Sequence, residues 1–226
     1  MAEARAVPLA QAPTDPRAQR VSTSLRRGLI LVPPLVLAVL EIFHPQPDET
    51  LAAVMDVATW FLAFHAIQLV LIGLVGLSVL LLADELGHAR SWAVRLGLGA
   101  FLVFYSAYDA VAGIATGLAM RTARELPPAQ QEGIWAAVKD WPGFDPVPFT
   151  INIVGTLGWV VALGALALAA RRAGAPRTQW VFIGLAALFL MGGHPFPFGT
   201  LAFGSLFLAA VFVDRAAHRR STTARP

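Results

Sequence analysis

The sequence predicts an all-α, polytopic integral membrane protein, a helical bundle of six spans with both termini on the cytoplasmic side. Three observations predict it. Of 226 residues, 57% are hydrophobic and only 14% are charged, against roughly 25% charged in an ordinary soluble domain. The apolar residues gather in blocks near membrane-spanning length, separated by short polar turns. The cations are also placed unevenly about those blocks. With the N-terminus inside, only Arg121, Arg124 and Lys139 of the 17 Lys and Arg fall on the outer side, which is the positive-inside pattern.

Residues 1–25 are rich in Ala, Pro, Arg and Ser/Thr without periodicity, and the reading is a disordered cytoplasmic arm. No apolar h-region of a signal peptide lies within it. The transmembrane domain is expected over 26–214. Arg26 and Arg27 precede the first apolar block, Gly28–Phe43, where Pro33-Pro34 should kink the helix or break its first turns. Glu41 and His44 share one face at its far end, and Pro45 ends it.

Val57–Leu82 forms the second span and contains no Lys, Arg, Asp or Glu. It is long enough to cross a hydrocarbon core of roughly 30 Å. His65 and Gln68 lie three positions apart, on one face of this helix. Burying them costs free energy unless other helices supply partners.

The third span runs from about Trp92 to Met120 and has the most polar interior. Tyr105, Asp109 and Thr116 make one polar stripe, and Gly113 with Gly117 forms a GxxxG pair suited to close helix packing. Residues 121–149 read as an outer interfacial segment, in which Ile134, Trp135, Val138 and Trp141 make one apolar face. The fourth span, Thr150–Ala170, opens with Asn152 and closes in Arg171-Arg172.

The fifth and sixth spans, Trp180–Gly193 and Phe198–Val213, are joined by HPFPFG, which carries His194. Both fall short of the usual ~20 residues, so a shallower re-entrant hairpin is the alternative to two full crossings. Residues 215–226 form a cytoplasmic tail. His88 and His218 are expected at the cytoplasmic surface, and most of the Trp residues at the membrane interfaces.

Composition also excludes whole classes of chemistry. The chain has no cysteine, which removes disulfides, thiolate chemistry and cysteine-held iron–sulfur clusters. A pI near 10.2 does not point to nucleic acid here, because the cations mark the ends of spans. The partner implied by the composition is the lipid bilayer.

With the orientation fixed, Glu41, His44, His65, Asp109, Asn152 and His194 share the outer half of the bundle. Imidazoles with carboxylates are a usual nitrogen/oxygen ligand set for zinc, iron or copper. A divalent metal would draw its ligands from Glu41, His44, His65, Asp109 and His194. His65 and His194 are also candidate axial ligands of a haem b. Without a metal, His65 could take a proton from outside and pass it to Asp109, with Tyr105 orienting the carboxylate, so these three are the candidate catalytic residues.

No HExxH or HxxxH motif supports a particular metal site. The plainer role for His65 is a packing histidine bonded to Gln, Tyr or a backbone carbonyl. Three functions follow. One is a metal, haem or catalytic site acting on a lipid-soluble small molecule such as a quinone or isoprenoid. The second is a small proton-coupled transporter. The third is a non-catalytic subunit or assembly factor, whose polar residues meet a membrane protein partner or a second copy in a homo-oligomer.

Overall fold

The computed structural model describes residues 16–46, 50–141 and 145–223. Residues 1–15, the end of the tail and the side chain of His218 lie outside the described residues. Within these limits the protein is all-helical. Helix α1 spans Pro16–Leu40 and continues as a 3-10 turn over Glu41–Phe43. Helix α2 covers Leu51–Glu85, α3 Trp92–Ala123, α4 Pro128–Val138, α5 Pro146–Arg172, α6 Arg177–Phe189 and α7 Phe198–Thr223.

Among the described residues, four helices are long and apolar enough to cross a membrane: Leu51–Glu85, Trp92–Ala123, Pro146–Arg172 and Phe198–Ala217. Helix α6 is shorter, reaching Gly192 through a 3-10 turn at Leu190–Gly192. The last helix is longer than the apolar run in the sequence, because it continues through Asp214 and Arg215 into the expected tail. Conversely, α1 begins inside the stretch read as an arm, and Pro33-Pro34 do not end it. A proline removes one backbone donor, but the helix remains joined on both sides of the pair. Val70, Leu96, Val103, Leu118 and Leu157 stand exposed around the bundle. Such an apolar exterior, together with the long apolar helices, is that of a multi-pass membrane protein.

The long helices pack as a closed ring: α1 on α2, α2 on α3, α3 on α5, α5 on α6, α6 on α7, and α7 back on α1. Glycines set the tightest crossings. A Cβ at Gly97, Gly155 or Gly158 would press against the backbone of the facing α5 or α3 helix, and one at Gly117 against the backbone of Leu62 on α2. Gly117 thus allows the close approach of α3 to α2 expected of the Gly113/Gly117 pair. A Cβ at Gly73, in contrast, would meet nothing within 4 Å.

The ring is filled from one end by apolar side chains, with Leu98, Phe101, Trp159, Leu163 and Phe203 fully buried or nearly so. Trp159 satisfies its indole by donating to the Ala186 carbonyl at 2.8 Å. Helix α4 lays Ile134, Trp135 and Val138 against Val54, Ala58 and Met120. The apolar face expected there exists, and it covers the start of α2 and the end of α3. At the opposite end of the ring, Arg26 pairs with Asp84 and Glu85, and Arg27 with Asp214.

Candidate metal centre

Three chain segments deliver one histidine each. His65 projects inward from the middle of α2 and is buried. His44 follows the 3-10 turn that closes α1, and Pro45 forbids further helix there. His194 sits in the connection after α6, directly behind Gly193, whose φ of +97° suits glycine and turns the chain inward. The side-chain ligand atoms of His44, His65 and His194 all lie within 4.8 Å of one another. No sequence motif could announce this set, because no two of its members share a helix.

The tautomers are partly fixed by geometry. His65 Nδ1 stands 2.7 Å from the Phe61 carbonyl. A carbonyl only accepts, so Nδ1 carries the proton and Nε2 is the nitrogen left to act as a ligand. This backbone anchor is the kind of outer contact that orients a metal-binding imidazole. Nε2 of His44 and Nε2 of His194 face each other at 3.0 Å. On a single ion with bonds of about 2.0–2.1 Å, neighbouring nitrogens stand about 3 Å apart or slightly more. Burial, then the neighbouring His65, pushes His44 down to about 4. Burial also holds His194 well below its ordinary value. Both imidazoles are thus neutral near pH 7, as a ligand must be.

Room for the cluster comes from glycine. A Cβ at Gly113 would overlap the His65 ring, and one at Gly199 would overlap the His194 carbonyl. Of the Gly113/Gly117 pair, Gly113 is held to glycine by this site side chain rather than by a facing backbone. Helix α3 also changes pitch here. It is π-helical over Phe101–Tyr105 and again over Asp109–Ala115, and such turns are frequent at functional sites. They place Tyr105, Tyr108, Asp109, Ala112 and Gly113 on the buried side.

A cavity of about 210 Å³ adjoins the histidines, lined also by Phe61, Tyr108, Asp109 and Asn152. Asp109 is 1% exposed, and neither of its carboxylate oxygens has a hydrogen-bond partner among the described residues. Glu41 is fully buried. Its Oε1 accepts from Gln68 Nε2 at 2.8 Å, and its Oε2 lacks a partner among the described residues. The Tyr105 ring lies 6.0 Å from that of His194, with its hydroxyl likewise unpartnered among the described residues.

The expected site residues therefore come together, but in different relations. The compact ligand set is three histidines, and neither Glu41 nor Asp109 belongs to it. Gln68 turns to Glu41 rather than to the histidines. The pairing of His65 and His194 as haem ligands fits poorly. The His44 ring lies 5.2 Å from His65 and 4.7 Å from His194, while those two are 6.0 Å apart, so the three pack together with no slot for a macrocycle.

Fold and site together define a membrane-embedded helical protein with a buried three-histidine cluster able to coordinate a metal ion. No known protein family, curated protein or solved structure matches the chain.

Proposed function

We propose that this is a multi-pass membrane metalloprotein in which His44, His65 and His194 hold one divalent transition ion. The observation that carries this reading is the convergence of three imidazoles, from three separate segments, onto one point. Imidazole ligands suit zinc, copper, iron or nickel rather than magnesium or calcium. The buried carboxyl groups of Glu41 and Asp109 would offset the charge of the ion in a low-dielectric site.

Six crossings with both termini cytoplasmic fit best, since the ring needs α1 and α6 as full members. The histidines then lie toward the outer face. A transport role is less well supported. Beyond Tyr105, the layer of Phe101, Trp159, Leu163 and Phe203 offers an ion no polar partners, which favours a site served from one side.

The test is elemental analysis and an optical spectrum of detergent-purified protein, prepared without chelator. About one ion per chain is expected in the wild type and almost none in His65→Ala. Metal-free wild-type protein that does not take up zinc, cobalt or copper would reject the reading.

A further inference from the structure

Three protein ligands leave a metal coordination position open, which is the arrangement of catalytic rather than structural zinc-type sites. In this protein the histidines border a cavity, and the same cavity is walled by Asp109. The carboxylate is buried, lies outside the compact ligand set, and has both oxygens unpartnered among the described residues. An ionisable group left so inside a membrane protein is expensive and by default functional. Asn152, on the facing α5, adds an amide to the same wall.

The chain has no cysteine, and the cavity lining contains no serine, threonine or lysine. An ion would activate water at its open position as the nucleophile, and the carboxylate at the cavity wall is the group to take its proton. The surroundings indicate the substrate phase. Ile42, Phe43, Trp60, Phe196 and Phe198 are exposed close in the chain to His44, His65 and His194, so the surface of these segments is apolar, as suits a substrate dissolved in lipid.

Resting on the metal reading above, we infer that the cavity is a hydrolytic site in which Asp109 serves as general base for cleavage of a membrane-dissolved acyl ester or amide. Water oxygen forms the new bond to the acyl carbon while one water proton passes to Asp109. The bond from that carbon to the alcohol oxygen or amine nitrogen breaks, and the proton on Asp109 goes to the leaving group. A carboxylic acid and an alcohol or amine result. Water is the sole co-reactant, and no electrons are transferred.

The experiment uses full-length protein loaded with cobalt, with acetohydroxamate as probe and a panel of fluorogenic long-chain acyl esters and amides as substrates. In the wild type, acetohydroxamate should shift the visible cobalt band, and at least one panel member should be cleaved. Asp109→Asn should keep the cobalt stoichiometry and the resting band yet lose about 100-fold or more in turnover. A cobalt band unmoved by acetohydroxamate shows a closed site and overturns the inference. So does failure to cleave any panel member, or undiminished turnover in Asp109→Asn. Failure to retain cobalt at all overturns the metal reading instead.

Discussion

Nε2 of His44 and Nε2 of His194 stand 3.0 Å apart although the residues are 150 positions apart in the chain. Two neutral imidazoles can face each other this way only if one donates a proton to the other, or if both donate lone pairs to a common ion. Removing either ring should therefore weaken metal binding as strongly as removing His65. For His44→Ala and His194→Ala, competition against a chromophoric chelator should show at least a ~100-fold loss of affinity, above the usual range for an outer-shell residue. Wild-type affinity in either variant would show that its ring is no ligand.

Gly113 predicts a different kind of damage. Gly113→Ala forces a methyl group into the His65 ring. Thermal unfolding in detergent should reveal a destabilisation of about 1–3 kcal/mol, typical of overpacking, with metal lost as well. Gly164→Ala is the control, since nothing lies near a Cβ there. It should be neutral, or stabilising by up to about 1 kcal/mol through the better helix propensity of alanine.

The metal-free protein should also be sensitive to acid. His44 titrates at about 4 when folded against an ordinary value of 6.5. Between these values the unfolded chain binds the proton and the folded chain does not, so stability rises with pH across the window. The contribution is fully present above about pH 6.5 and is lost as pH falls through about 4. Unfolding temperatures should decline over that interval, with a shallower slope in His44→Gln. An unchanged slope would mean that other groups govern the acid response.

The absence of cysteine makes topology directly measurable. Gln130→Cys on the exposed part of α4 should react with a membrane-impermeant maleimide added to intact cells. Ala173→Cys, in the turn between α5 and α6, should react only after permeabilisation. The reverse pattern would invert the proposed orientation, and labelling of both from outside would break the six-span arrangement.

Much of the helical architecture was legible because a bilayer imposes length and composition on each span. The polar stripe of α3 and the apolar face of α4 could likewise be read from helical periodicity. The division of labour within the site could not. Glu41 and His44 lie three apart, yet the one receives Gln68 and the other meets His194, because the chain leaves the helical path between them. The π turns at Phe101–Tyr105 and Asp109–Ala115 alter the facing of α3, and their sequences hold no proline and a single glycine, Gly113, that would announce it. His194 depends on a turn whose path only tertiary packing decides. Gly193 immediately before it was the available hint.

The order of the ligands along the chain becomes an order in time. His44 and His65 enter the membrane early in synthesis, but the third imidazole arrives only with the connection to α7. An incompletely inserted chain thus carries two of the three imidazoles. Once all three are in place, an ion held by them would clasp the end of α1, the middle of α2 and the last connection together. Metal occupancy would then serve the cell as a report that the final helices have been threaded correctly.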